Sequence, residues 1–174
     1  MVPEATLSET DHGLVPESDG WFVLNVRDAP WRESKDFGSA TRFEGRRFFP
    51  EIGINVRVLA PGRPNCLYHG EADQESILVL SGECILLVEG EERRLRPWDF
   101  VHLPPWTEHV LVGAEEPCTV VMVGARHVDE VIYPVSALAA RHGASAERET
   151  PSPEDAYAAY APPETRSYRE GDLP

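Results

Sequence analysis

The chain has 174 residues, 41% of them hydrophobic, and a formal net charge of −14. That length suits one domain with a real core, and the acidity argues against a nucleic-acid partner, which would need a basic footprint. No apolar stretch is long enough to span a bilayer, and the N-terminal MVPEATLSETDHG has no apolar run, so neither a signal peptide nor a membrane anchor is expected and the cytoplasm is the expected location.

Residues 1–20 read as a loose, polar lead-in. Trp21 to Val26 (WFVLNV) reads as a strand, bounded by Asp19-Gly20 and by Asp28-Ala29-Pro30. A loop with Trp31, Phe37, Phe43, Phe48 and Phe49 follows, its aromatics pinning it to the body. Ile54 to Leu59 alternates, so Asn55 and Arg57 share one face and Val56 and Val58 the other. Arg57 then either faces outward or, if it points inward, grips a substrate carboxylate.

After the turn Pro61-Gly62-Arg63-Pro64, Cys66 to Glu71 reads as a strand that places Leu67, His69 and Glu71 on one face and Tyr68 on the other. Tyr68 is either a strand-surface residue or a hydrogen-bond donor at the mouth of the fold. Ile77–Leu80 and Cys84–Val88 are strands, with Glu89-Gly90-Glu91 a hairpin turn into Arg93–Leu95. Phe100–Leu103, His109–Val112 and Thr119–Gly124 complete the set, with Pro104-Pro105-Trp106 a rigid corner. Short strands with turn signals every eight to twelve residues, and no helical period, predict an all-β antiparallel sandwich or closed barrel. Closure is favoured because it removes exposed edges.

The composition changes after Arg126. Ser136 caps a short helix that Gly143 stops, and Ser152-Pro153 starts a second one through Tyr160. Tyr157, Tyr160 and Tyr168 suggest that the Pro-rich tail docks on the barrel or on a partner subunit. The organisation expected is a lead-in at 1–20, a barrel at 21–126 and a C-terminal extension at 127–174. Cys66, Cys84 and Cys118 lie in or beside apolar strands with no CxxC pair, which reads as small buried thiols.

Two stretches concentrate metal-ligand residue types: His69-Gly70-Glu71 with Glu75 and Gly82, and Trp98-Asp99 through Pro104-Pro105-Trp106 to His109 and Gly113. Their spacing resembles the paired motifs of the cupin superfamily over about residues 50–125. Departures from the family pattern are a longer spacer after Gly62, Glu71 where the family has a second histidine, Trp98 and Trp106 at glycine positions, and Gly113 at an asparagine position.

The resemblance implies a cupin β-barrel (jelly roll) of the single-domain type, and a homodimer. It also implies one divalent metal (Fe, Mn, Ni or Zn) held by His69, Glu71, Glu75 and His109, a ligand set chemically suited to such ions. Asp73 or Gln74 is an alternative to Glu75. A register shifted by one would put Tyr68 and Gly70 at the paired positions and lose the site. His102 reads as a packed or supporting histidine, and Trp98 and Trp106 as packing at one end of the barrel.

Three functions stay open. One is a metal-dependent enzyme of dioxygenase, isomerase or decarboxylase type on a small molecule. The second is a non-catalytic ligand-binding module with a vestigial metal site. The third is an interaction role centred on the tail.

Overall fold

The computed structural model describes residues 1–45 and 48–173; Arg46 and Arg47, in the span read as an aromatic loop, and Pro174, at the end of the tail, lie outside them. The fold is built almost wholly from antiparallel strands. A seven-stranded sheet runs in the order β10 (Phe100–Leu103), β7 (Glu75–Ser81), β12 (Cys118–Ala125), β5 (Ile52–Leu59), β4 (Gly38–Thr41), β3 (Trp31–Ser34) and β14 (Glu164–Arg166). A three-stranded sheet, β11 (His109–Gly113), β8 (Cys84–Val88) and β9 (Glu91–Leu95), faces it. Two small pairs complete the set: β1 (Leu7–Thr10) with β2 (Gly13–Pro16), and β6 (Gly70–Glu71) with β13 (Val131–Ile132).

Alternation decides what fills the space between the sheets. Leu59 on β5, Ile77 and Val79 on β7, and Val120 and Met122 on β12 meet Cys84 and Leu86 on β8 and Leu111 on β11 in one buried cluster. This is the barrel interior. The opposite face of the small sheet, with Leu87, Val110 and Val112, is sealed by Tyr68 and by Ala139 of α1 (Ala137–Arg141). Ser136 caps α1 by accepting the Ala139 N–H, and Ser152 caps α2 (Pro153–Ala156) by accepting the Asp155 N–H, as the serine positions suggest.

Several sequence expectations fail at identifiable places. Trp21–Val26 is not a strand: Val23 is strongly exposed, and the segment's one β-bridge among the described residues is from Trp21 to Glu4. The polar lead-in instead folds into the β1–β2 hairpin. The aromatic loop contains β3 and β4, with Trp31 fully buried. Cys66–His69 is irregular rather than extended. Pro64 pairs with Val112 and His69 with His109, so five steps on one strand oppose three on the other, and the excess bulges out. The Asn65 side chain fills the gap by accepting the Leu111 N–H at 2.9 Å. That bulge sends Tyr68 outward beneath α1, where its hydroxyl accepts the Gly90 N–H, and leaves it neither on a strand surface nor at the mouth.

Candidate metal centre

His69 and His109 exchange both backbone hydrogen bonds, at 3.1 and 2.8 Å, as directly opposed residues of an antiparallel pair do. Their rings therefore point the same way and lie 4.8 Å apart. The corner at Pro104-Pro105 fixes the approach of His109, because Thr107 folds back on it through two bonds to the Pro104 carbonyl. Glu71 arrives on β6, held by Val131 across the ladder, and Glu75 opens β7 opposite Leu103 and Gly124. Gly113, at the family's asparagine position, is demanded by close approach: a Cβ there would stand 2.2 Å from the Ala60 carbonyl oxygen.

The four side chains meet as two imidazole–carboxylate pairs. His69 Nε2 lies 3.1 Å from Glu71 Oε1, and His109 Nε2 lies 3.0 Å from Glu75 Oε2. Among the described residues no group of three or more His, Cys, Asp or Glu converges as ligands about one ion.

The other edge of each ring fixes the tautomer. His69 Nδ1 lies 2.8 Å from the Leu67 carbonyl, and His109 Nδ1 lies 2.9 Å from the Thr107 carbonyl. A carbonyl oxygen only accepts, so each Nδ1 carries its proton and donates. Each Nε2 then faces a carboxylate oxygen, an arrangement that needs positive charge between the two atoms. One divalent cation or two imidazolium protons satisfies it, and in chemical type the donor set fits a first-row divalent ion.

Burial opposes the charged form of His69, but Cys66 and then Glu71 outweigh it and hold its imidazole well above the ordinary range. The hydrogen bond from His69 outweighs burial at Glu71 and holds that carboxyl low. Tyr133, whose ring lies 5.8 Å from that of His69, has its hydroxyl pushed up to about 12 by burial.

His69 and His109 are 7% and 3% exposed, while Glu71 and Glu75 line a cavity of about 460 Å³ together with Asp73, Asp129, Glu130 and Tyr133. The alternatives to Glu75 fall away. Asp73 spends its carboxylate on the His127 and Val128 N–H groups, and Gln74 is exposed. The shifted register fails too, because Tyr68 and Gly70 lie on the wrong side. His102 is exposed on the outer face of β10 beside Ser76, neither ligand nor packed. Trp98 and Trp106 are exposed, not packed across the barrel end.

Sequence reasoning left Arg57 undecided, and the structure turns it inward. With Arg32, Arg42, Asn55 and Asn65 it lines a second cavity of about 730 Å³, walled by Tyr157 and Tyr160 of the tail. This cavity was missed because its walls come from segments more than 100 residues apart.

Residues 55–124 match the family described as the cupin domain. The fold is similar to that of a sugar phosphate isomerase from the cupin superfamily of Silicibacter pomeroyi, at 21% identity and a TM-score of 0.55, over 63% of this chain and 85% of that one. It is also similar to the polyketide cyclase RemF of Streptomyces resistomycificus, at 14% identity and a TM-score of 0.54, over 62% and 80% of the two chains. No curated protein matches the sequence. With its barrel, its paired motifs and this match, residues 55–124 form a cupin domain. Among the described residues no helix is long and apolar enough to cross a membrane.

Proposed function

We propose that the protein is a small-molecule-binding cupin that holds one divalent cation (Fe, Mn, Ni or Zn) with His69, His109, Glu71 and Glu75, and acts as a metal-dependent enzyme of dioxygenase or isomerase type. One observation carries it: two buried Nε2 atoms are aimed at two carboxylates that line an acid-walled cavity. When bound, such a cation would polarise a substrate oxygen as a Lewis acid.

The chain's own residues supply the rest. The carbonyls of Leu67 and Thr107 lock both imidazoles in the ligating tautomer. Glu71, with a side chain 42% exposed against 15% for Glu75, is the carboxylate with room to turn into the cavity and, when not engaged as a ligand, to move a proton. Tyr133 stays protonated beside it and would donate a hydrogen bond to a substrate oxygen.

The same pairs, already closed to hydrogen-bond distance, support a second reading, a non-catalytic ligand-binding barrel with imidazolium–carboxylate pairs and no metal. Elemental mass spectrometry on untagged protein separates the two. Near-stoichiometric Fe, Mn, Ni or Zn, lost in His69→Ala and His109→Ala, is the expected result. Absence of metal after reconstitution, or full retention in His109→Ala, overturns the metal site. The homodimer belongs to this proposal as well, and sedimentation of the full chain tests it.

A further inference from the structure

The larger cavity differs in charge from the acidic one it adjoins. Asn55 and Pro153 line both, so the two spaces share a wall. On the inner face of β5 the sequence runs Gly53, Asn55, Arg57, Leu59. The last of these belongs to the apolar core and the first to the acidic cavity, which leaves Asn55 and Arg57 as a polar step between them.

Neither residue is fully satisfied. Arg57 donates through Nη1 to the Asn65 carbonyl, but its Nε is buried with no partner, and so is Asn55 Oδ1. A buried donor and a buried acceptor left open are each unfavourable. Side by side they define what would complete them: an anionic oxygen for Arg57 and an O–H or N–H for Asn55.

The surroundings point the same way. Arg32 on β3 and Arg42 after β4 also line the cavity, with Glu154 as its one acidic lining residue among those described. Among the described residues, no carboxylate forms an ion pair with Arg32, Arg42 or Arg57. Burial, and then the neighbouring Arg32, press down on the Arg42 guanidinium and outweigh the opposing charge of Glu44, as expected where like charges gather. Phe37 and Tyr160, with ring centroids 4.8 Å apart, give one wall an apolar surface. About 730 Å³ is room for a small organic molecule.

We propose that this cavity binds a small hydroxycarboxylate, its carboxylate on Arg57 in the field of Arg32 and Arg42, its hydroxyl donating to Asn55 Oδ1, and its body against Phe37 and Tyr160. The inference rests on the function proposed above for one point only, that the hydroxyl faces the His69/His109 centre; anion recognition by the arginines does not depend on a metal. An aromatic hydroxy acid and a sugar acid share this chemistry, and the test has an arm for each.

Calorimetric titration of the full-length protein, metal-free and metal-reconstituted, with mandelate and D-gluconate is the experiment. Phenylacetate (no hydroxyl) and mandelamide (no carboxylate) are the controls. Mandelamide should bind roughly tenfold or more weakly than mandelate, and phenylacetate should fall between them. Tighter binding of mandelate than of gluconate selects the aromatic source, and the reverse selects the sugar acid.

Arg57→Gln should erase the preference for mandelate over mandelamide, and Asn55→Leu only the preference for mandelate over phenylacetate. Both preferences should hold in the metal-free and in the metal-reconstituted protein. If Arg57→Gln does not fold, Arg42→Gln at the exposed rim should weaken both acids in the same direction. Binding of neither acid by the wild type at millimolar concentration overturns the inference. So does binding that is metal-dependent and unchanged in the arginine variants, which would leave the metal site standing without an anion pocket.

Discussion

Trp98 and Trp106 stand where the cupin motif has glycine, and both adopt the backbone a glycine would take, with φ of 74° and 65°. The turns are pinned from elsewhere. The Trp98 N–H donates to the Val79 carbonyl at 2.8 Å, Asp99 accepts the Arg96 N–H at 2.9 Å, and the Trp106 N–H donates to the Glu71 carbonyl at 2.6 Å. The hydrogen bonds impose the left-handed turn, and the side chain bears the strain, on the order of 1 kcal/mol for a residue with a Cβ. Trp98 is 74% exposed, so burial does not offset that strain. Trp98→Gly should therefore stabilise the protein by about 1 kcal/mol, while Trp98→Ala, which keeps the Cβ, should not. Urea denaturation of the pair checks this, and equal stability of the two variants would refute the strain account. Here the sequence was legible in one sense only. The spacing marked both positions as turns, but nothing in two tryptophans announced that they would stay exposed and left-handed.

Capped and turned elements were readable because their signals are local: the serines before α1 and α2, and the Glu89-Gly90 turn between β8 and β9. Elements that depend on a distant partner were not. Trp21–Val26 has strand composition and finds no ladder, while polar Leu7–Thr10 pairs because Asp11-His12-Gly13 turns the chain back on itself. β14 shows the same dependence from the tail. It pairs with β3, and Arg166 locks it there, with a two-pronged contact to Asp172 at 2.6 and 3.0 Å, Nε on Glu33, and its guanidinium over the Trp31 ring. Burial works against the charged Asp172, yet the Arg166 fork outweighs it and holds the carboxyl below the ordinary value. A depressed folded-state value means that this stabilisation is complete above the unfolded carboxylate range, about pH 4, and is lost as pH falls through the folded value. Asp172→Asn should remove about 2 kcal/mol from tail docking at neutral pH and flatten this contribution at acid pH. Faster amide exchange at Glu164–Arg166, with unchanged exchange in β7 and β12, is the expected signature, and unchanged exchange at β14 would show that the fork does not hold the tail.

At the scale of the molecule, the two cavities show what a linear pattern can carry. The meeting of His69 with Glu71 and of His109 with Glu75 was legible because the four lie within about forty residues at spacings set by two strands and a corner. The arginine-lined cavity was not, since β3, β4, β5 and residues 153–163 meet only after the tail has crossed the mouth. That crossing divides the C-terminal extension into two parts with different work. Residues 137–146 belong to the fold: Ala139 and Ala144 seal Tyr68, Leu87, Val110 and Val112, all 2% exposed or less. Residues 153–163 wall the cavity, and nothing in 152–173 contributes to the cluster between the sheets. Two truncations should therefore behave differently. A chain ending at 134 uncovers four large side chains, each worth roughly 1.5–3 kcal/mol when fully buried, which in sum is comparable with the whole stability of a typical domain, and should not fold cooperatively. A chain ending at 151 keeps that seal. It loses the bond from the Leu67 N–H to the Tyr157 hydroxyl and the β3–β14 ladder, so it should melt cooperatively at a lower temperature. Calorimetry on both chains decides the matter. If they melt alike, either α1 is dispensable or the distal tail is part of the core, and in both cases the division of the extension at Pro151 is wrong.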